Sequence, residues 1–167
     1  MIKHRVVYSA EEIQQRVKEL GQQISEEYQN SELAVVGVLE DAFIFCADLI
    51  RTIQGTLNCG FMYVKKHSLG GHIDIHYTSE LDITGCNVLL IGDVMDTGIT
   101  FDYLTKQLST RSPKSIKICV LLDKPDDRRI DIKPDFYAFQ TTEVGVFGYG
   151  LGSQGKYRHF PFLAVTD

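Results

Sequence analysis

The chain has 167 residues, of which 44% are hydrophobic and 23% are charged, and its formal net charge is −5. A length of this order is typical of one globular domain, and the composition is close to the average for soluble proteins. We therefore expect residues 1–167 to form a single domain. The acidic balance argues against a general nucleic-acid binder, which normally presents a basic face.

The apolar segments and the cysteines exclude further classes of protein. No apolar run approaches the roughly 20 residues that a membrane helix needs, and the N-terminus has no signal-peptide core. We expect a cytoplasmic protein that makes no membrane contact. The four cysteines (Cys46, Cys59, Cys86 and Cys119) are widely spaced and include no Cys-x-x-Cys pair, so no structural zinc site is expected.

The first half of the chain alternates helical and strand patterns. Ser9 and Glu12 form a capping box, after which an apolar stripe at helical spacing predicts a helix. Leu33–Leu39 is apolar throughout, which predicts a strand buried on both faces. The next predicted elements are a helix at 43–53, a strand at 57–64 and a long loop at 66–80. Loops of that length within a compact domain are often functional lids.

The second half continues the alternation. Apolar strands are predicted at 88–91 and 116–122, with a helix at 101–108 between them. The aromatic segments at 136–139 and 144–149 have β-like patterns. Apolar strands that alternate with helices predict an α/β fold with a mainly parallel sheet covered by helices on both faces.

A run of small and polar residues directly after the third buried strand carries the clearest chemical signal. Asp93 and Asp96 lie where that strand ends, which is where open parallel sheets bind ligands. Thr97, Gly98 and Thr100 then turn into a helix and offer backbone N–H groups and hydroxyls, as a phosphate site requires. Carboxylates beside a phosphate site indicate a sugar with vicinal hydroxyls, a divalent metal, or both. The alternative is an ordinary helix in which Thr97 or Thr100 is the N-cap.

Residues 88–100, Val-Leu-Leu-Ile-Gly-Asp-Val-Met-Asp-Thr-Gly-Ile-Thr, resemble the phosphoribosyl pyrophosphate signature of the type I phosphoribosyltransferases. Further segments resemble the hypoxanthine-guanine phosphoribosyltransferases in the same order along nearly the whole chain, at 35–50, 121–125, 132–136 and 148–158. The resemblance implies that family's α/β fold, with a small hood from the C-terminal region. It also implies magnesium-dependent transfer of phosphoribosyl from phosphoribosyl pyrophosphate to a 6-oxopurine, hypoxanthine or guanine, by a homodimer or homotetramer.

The same resemblance implies a role for individual residues. Asp96 would be the general base near the purine N7, and Asp93 would hold the ribose hydroxyls and Mg²⁺. Thr97, Gly98 and Thr100 would bind the 5′-phosphate. Lys124 would contact the purine 6-oxo group, and the backbone of Val146 would contact the base. Arg158 would bind pyrophosphate.

The chain departs from the family pattern at several of these positions. Glu40 and Asp41 stand where the family has Lys-Gly, which opposes pyrophosphate binding, whereas Lys66 and His67 replace Ser-Tyr and restore positive charge. Glycine also replaces three side chains of the family. Gly92 stands in place of an acid, and Gly145 in place of the aromatic that stacks on the base. Gly152 stands in place of an Asp that serves a second magnesium. A shift of register would offer the ring of Phe147 or Tyr149 in place of that aromatic, although a slip by one residue turns a side chain to the other face. The departures leave open a second class of function, a weak or silent nucleotide-binding relative with a regulatory or assembly role.

Overall fold

The computed structural model describes residues 3–29, 31–66, 73–78 and 81–166. These residues form eight strands and three α-helices, with a 3₁₀ turn at Pro125–Asp127. In chain order the elements are β1 (His4–Tyr8), α1 (Ala10–Glu27), β2 (Leu33–Leu39), α2 (Phe43–Ile50), β3 (Leu57–Lys66), β4 (Ile73–Tyr77), β5 (Asn87–Met95), α3 (Ile99–Ser109), β6 (Ser115–Asp123), β7 (Phe136–Gln140) and β8 (Leu163–Thr166).

Six strands form the main sheet in the order β4-β3-β2-β5-β6-β7. All neighbours are parallel except β4, which runs antiparallel to β3. Gly37 of β2 lies opposite Ile91 of β5, and Met95 of β5 lies opposite Asp123 of β6. The loops that follow β2, β5 and β6 therefore meet at one edge of the sheet.

Helices cover both faces of this sheet, as predicted. The Ser9 capping box is present at the start of α1, and the apolar stripe of that helix is buried together with α2 against one face. Phe101, Leu104 and Leu108 of α3 pack against the other face. The prediction of a mainly parallel α/β sheet with helices on both faces is confirmed. No helix among the described residues is both long enough and apolar enough to cross a membrane.

The hood contains strands from near both ends of the chain. β1 pairs with β8 in a separate antiparallel sheet, with His4 opposite Thr166. Rings from both termini pack together beside this sheet, namely those of His4, Phe147, Tyr157, Phe160 and Phe162. The sequence predicted a hood from the C-terminal region, but it did not predict that the N-terminal segment supplies a strand.

Three local predictions differ from the structure. Residues 144–149 form only isolated bridges, at Phe147 and Gly148, because Gly145 and Gly148 have positive φ angles that interrupt a strand. The helix predicted at 43–53 ends at Ile50. Ile73–Tyr77, predicted as part of a long loop, is strand β4. Residues 67–72 and 79–80 of that predicted loop lie outside the described residues.

Candidate active site

The turn between β5 and α3 has a conformation that favours glycine at its centre. Gly98 has φ of +83°, in the left-handed region. A Cβ at this position would lie 2.4 Å from Cγ2 of Ile132, so a side chain would strain the backbone and force Ile132 to move. The glycine of the predicted phosphate cradle is therefore required by the packing of the turn.

The start of α3 has no side-chain cap. Gly98 is the N-cap residue, so the alternative of an ordinary Thr97 or Thr100 N-cap is not observed. The Thr97 hydroxyl accepts a hydrogen bond from the Ile99 N–H at 3.4 Å, the long end of the range. An uncapped helix N-terminus with a nearby hydroxyl suits an anion, because its N–H groups and the helix dipole both favour negative charge.

The two predicted acidic residues differ in their surroundings. Asp96 is exposed, and its Oδ1 accepts hydrogen bonds from the Thr97 N–H at 2.6 Å and the Thr97 hydroxyl at 3.3 Å. These bonds hold the carboxylate at the start of the turn. Asp93 is half-buried and faces a cleft of about 350 Å³ between the ends of β2 and β5.

This cleft brings together Asp93, Thr100 and the loop that follows β2. Its lining includes Glu40 and Asp41, so three carboxylates surround it. A larger cavity of about 1010 Å³ lies at the opposite edge of the sheet, lined by polar residues around the end of α1 and the starts of β2 and β3. The smaller cleft is the one that contains residues of the predicted site.

Lys124 follows β6 directly and is tied to the end of β5. Its N–H donates to the carbonyl of Met95 at 3.0 Å. Its ammonium lies 2.7 Å from the carboxylate of Asp127, and its side chain is only 15% exposed. The sequence analysis did not identify Asp127, although its position three residues after Lys124 in a turn could have indicated the pair.

Arg128 is the main residue of the site that sequence analysis missed. Its guanidinium donates to the carbonyls of Met95, at 2.9 Å, and Asp96, and forms an ion pair with Asp123. Both side chains of this pair are largely buried, with 13% of Arg128 and 4% of Asp123 exposed. Asp123 also accepts from the Gln140 side chain at 3.1 Å. Arg128 therefore fastens the turn that carries Asp96 to the end of β6.

The region predicted to contact the base contains Val146, but neither the ring of Phe147 nor that of Tyr149 faces it. Val146 is half-buried, and the position of Gly145 is open: apart from its two chain neighbours, no described residue has a heavy atom within 4 Å of where a Cβ would lie. Phe147 is fully buried in the hood, and the Tyr149 hydroxyl donates to Asp48 at 2.7 Å. The suggestion that Phe147 or Tyr149 stacks on the base is wrong, because both side chains are held inside the protein.

Burial and its hydrogen bond also change the acidity of Tyr149. Burial of the hydroxyl, and then the bond to Asp48, raise the pKa of Tyr149 well above its usual value. Both effects disfavour the charged phenolate. Tyr149 therefore acts as a neutral anchor between the Gly-rich segment and α2.

Arg158 is paired with the two acidic residues that replace the family's Lys-Gly. Its guanidinium binds the carboxylate of Asp41, donates to the carbonyl of Gly150 at 2.7 Å and lies 3.6 Å from the carboxylate of Glu40. The two carboxylates that were expected to oppose pyrophosphate binding thus form ion pairs with the arginine assigned to pyrophosphate. The side chain of Lys66, and the whole of His67, lie outside the described residues.

Two of the glycines that replace family side chains are packed against other groups. A Cβ at Gly92 would lie 2.3 Å from Cζ of Phe101, and one at Gly152 would lie 2.8 Å from Cζ of Arg158. The space that a larger residue would need is therefore filled by a ring in one case and by a guanidinium in the other. The family acids at these positions do not fit without displacing these neighbours.

The glycines at 150, 152 and 155 match the Gly-x-Gly-x-x-Gly spacing of dinucleotide-binding turns. That motif needs a strand before it and a helix after it. Here the segment folds into two tight bridges, Gly148 with Leu151 and Ser153 with Lys156, and residues 141–162 contain neither helix nor extended strand. The spacing therefore does not indicate a dinucleotide site.

Oxygen ligands for a divalent cation are present at the cleft. Carboxylates are the groups that magnesium prefers, and Asp93 is the one that the β5 strand end presents. Within the described ranges, no group of three or more His, Cys, Asp and Glu side chains is arranged to hold a metal ion. The residues fit a cation that takes its remaining ligands from water and from phosphate oxygens.

Comparison with known proteins identifies relatives over nearly the whole chain. Residues 7–154 match the phosphoribosyl transferase domain family. The chain is 40% identical to the hypoxanthine-guanine phosphoribosyltransferase of Bacillus subtilis, over 99% of this chain and 96% of that protein. It is 37% identical to the hypoxanthine phosphoribosyltransferase of Escherichia coli, over 91% of this chain and 89% of that protein.

Solved structures give the same result. A hypoxanthine-guanine phosphoribosyltransferase from Bacillus anthracis superposes with a TM-score of 0.93 at 35% identity, covering 100% of this chain and 99% of that chain. The hypoxanthine phosphoribosyltransferase of Trypanosoma cruzi in complex with the product IMP superposes with a TM-score of 0.91 at 29% identity, covering 99% and 95%. The resemblance read from the sequence is confirmed.

Proposed function

We propose that this chain, which belongs to the phosphoribosyltransferase family, is a purine salvage enzyme that joins hypoxanthine or guanine to phosphoribosyl pyrophosphate. The products are the nucleoside 5′-monophosphate and pyrophosphate. The relatives from Bacillus subtilis and Escherichia coli carry names of this activity. The observation that carries the proposal is the turn between β5 and α3, where an uncapped helix N-terminus follows two acidic residues.

The 5′-phosphate is assigned to the turn at residues 97–100. The N–H groups at the start of α3 and the helix dipole attract a phosphate, and Gly98 presents its backbone without a Cβ. The hydroxyls of Thr97 and Thr100 supply further donors. Binding here would hold the ribose beside Asp93 and Asp96.

Asp96 is assigned as the general base. In the reaction, N9 of the purine bonds to C1′ of the ribose while the bond from C1′ to the pyrophosphate oxygen breaks, and its electron pair leaves with pyrophosphate. Positive charge develops on the ribose ring, and the proton on N7 passes to the Asp96 carboxylate. The hydrogen bonds from Thr97 support this role, because they fix the carboxylate before the substrate arrives.

Magnesium is the ion that we propose for this family member. When bound, Mg²⁺ neutralises charge that develops on the leaving pyrophosphate. Asp93 would hold the ion and the ribose hydroxyls at the cleft, since its carboxylate lines it. Water and substrate oxygens would complete the octahedral set that magnesium prefers.

The purine is assigned to Lys124 and Val146. A lysine ammonium donates to the 6-oxo group of hypoxanthine or guanine and meets a like donor in adenine, which carries an amino group there. The bond from Lys124 to Asp127 supports this assignment, because it limits the positions of the ammonium. The backbone of Val146 would contact the edge of the base.

Arg158 and Lys66 are assigned to pyrophosphate. Arg158 contacts Glu40 and Asp41, which line the cleft, and this position supports the assignment. The same two carboxylates compete with pyrophosphate for the guanidinium. Lys66 ends β3 at the same edge of the sheet. We further propose that residues 1–167 act as one domain, in a cytoplasmic homodimer or homotetramer whose size sedimentation equilibrium would measure.

A direct assay tests the proposed activity. Phosphoribosyl pyrophosphate, Mg²⁺ and one of hypoxanthine, guanine, xanthine or adenine are incubated with the protein, and the nucleoside monophosphate is quantified by chromatography. We expect product with hypoxanthine or guanine and none with adenine. Asp96→Asn should lower turnover by about 10²- to 10⁴-fold while 5′-nucleotide binding changes little. An Asn variant with unchanged turnover would remove Asp96 from the mechanism.

A catalytically weak or silent nucleotide-binding relative is the second candidate. The ion pair between Arg158 and Asp41 favours it, because it opposes binding of pyrophosphate. This candidate predicts that calorimetry detects binding of GMP while the assay yields little or no nucleoside monophosphate from any base. Product formation with hypoxanthine or guanine over many turnovers excludes it.

A further inference from the structure

The loop that follows β2 packs directly against the Gly-rich segment near the C-terminus. A Cβ at Gly150 would lie 2.5 Å from the carbonyl oxygen of Asp41, and Gly150 has φ of +99°. The guanidinium of Arg158 lies over Gly152, where a Cβ would approach its Nε at 3.0 Å. The two glycines therefore allow the loop and the arginine to come close together.

The guanidinium of Arg158 is engaged by acceptors from both segments. Nη1 binds the Asp41 carboxylate and the Gly150 carbonyl, and Nη2 lies 3.6 Å from the Glu40 carboxylate. The arginine side chain is 28% exposed, whereas that of Glu40 is 65% exposed. Asp41 is therefore the close partner of Arg158, and Glu40 is a more distant and more solvated one.

The charge around the adjoining cleft is unfavourable to a free polyanion. Glu40, Asp41 and Asp93 line it, and the whole chain carries a net charge of −5. An anion that binds Arg158 has to displace the Asp41 carboxylate and then remain beside it. Like charges at such separation repel, and the repulsion is weaker for a ligand whose charge a bound cation has reduced.

We propose, on the basis of the proposed function, that Glu40 and Asp41 make the pyrophosphate subsite selective for pyrophosphate that is bound to a divalent cation. The two carboxylates compete with metal-free pyrophosphate for Arg158 and repel it. A pyrophosphate group that arrives with a divalent cation carries less charge, and its cation faces the carboxylates favourably. The subsite thereby excludes uncomplexed pyrophosphate and couples binding to the cation.

The test uses two charge-removing variants of equal shape and one truncation. Asp41→Asn and Glu40→Gln remove one carboxylate each, and Arg158→Ala removes the anion-binding group. Glu32→Gln is the matched control, since Glu32 precedes β2 and Glu40 follows it, so the same change of charge is made at the opposite end of one strand. Glu32 and Glu40 are eight positions apart, which separates them by about 26 Å along an extended strand.

Inorganic pyrophosphate is titrated calorimetrically into each full-length protein, once with a chelator and once with saturating Mg²⁺. We expect Asp41→Asn to bind metal-free pyrophosphate about three- to tenfold more tightly than the wild type, and Glu40→Gln to gain less. Binding of the magnesium complex should change less than about twofold in both variants, so that the dependence on Mg²⁺ becomes smaller. Glu32→Gln should match the wild type in both conditions.

Several outcomes overturn the proposal. It fails if neither Asp41→Asn nor Glu40→Gln binds metal-free pyrophosphate more tightly than the wild type, or if Glu32→Gln gains as much as they do. It also fails if Arg158→Ala binds magnesium pyrophosphate as well as the wild type does. Should Asp41→Asn not fold, Glu40→Gln alone decides, because Glu40 is the more solvated partner.

Failure of the proposed function is distinguished from failure of this proposal by a different measurement. The product assay on the wild type reports transferase activity, whereas these titrations report only how the subsite treats an anion. A protein without transferase activity whose Asp41→Asn variant gains affinity supports the role of the two carboxylates and contradicts the proposed reaction. An active enzyme whose variants gain nothing contradicts the role of the carboxylates and leaves the reaction intact.

Discussion

Replacing Arg128 by methionine should destabilise the protein strongly, because Asp123 then stays buried without its ionic partner. Methionine keeps most of the aliphatic stem but removes the guanidinium, and with it the ion pair and the bonds to the carbonyls of Met95 and Asp96. Breaking a buried pair by removing one partner costs about 3–5 kcal/mol. Since Asp123 keeps its bond from Gln140, we expect a loss of about 3 kcal/mol, at the lower end.

The loss is measured from urea unfolding followed by circular dichroism. For a chain of this size, about 3 kcal/mol corresponds to a fall in Tm of about 6–12 °C. Lys106→Met is the matched control: it breaks an exposed i,i+4 pair with Asp102, which should cost less than about 0.5 kcal/mol.

A second substitution tests the cause. In the Asp123→Asn/Arg128→Met double variant the buried charge is gone, and we expect it to be more stable than Arg128→Met alone by about 2 kcal/mol. The reasoning is refuted if Arg128→Met unfolds within 1 kcal/mol of the wild type, or if the double variant is no more stable than the single one. Turnover should fall together with stability, since Arg128 holds the backbone that carries Asp96.

Three further perturbations test other parts of the structure. Gly98→Ala should abolish 5′-nucleotide binding in calorimetry and lower Tm, since alanine meets both the positive φ and the side chain of Ile132; a variant that binds GMP normally would contradict the assigned phosphate turn. Lys124→Ala should raise KM for hypoxanthine and guanine selectively, and use of adenine by the wild type would contradict the role of Lys124. Above about pH 10 Tyr149 loses its proton in the unfolded chain but keeps it in the native state, where its pKa is raised. The free energy of unfolding should therefore fall with rising pH. Tyr149→Phe should flatten that fall, and an unchanged slope in alkaline urea titrations would refute it.

The elements that sequence analysis predicted correctly depend on short-range pattern. The Ser9 capping box, the apolar stripe of α1 and the apolar strands at β2, β5 and β6 are properties of adjacent residues, and each was found, although β5 continues to Met95, beyond the predicted end at residue 91. The turn that carries Asp96 and Gly98 was predicted for the same reason, since strand, turn and helix start lie within one short segment.

The partners of the site residues were decided by tertiary structure. Arg158 meets Asp41 across 117 positions of sequence, and Arg128 meets the Met95 carbonyl across 33. No local spacing predicts such pairs, because they form only when the loops that follow parallel strands are brought to one edge of the sheet. The inward direction of the Phe147 ring and the pairing of β1 with β8 follow likewise from how the two ends of the chain close the hood. The sequence by itself determined which chemical groups the site contains, and the fold decided which of them neutralise one another, since electrostatic partnership depends on distance in space rather than along the chain.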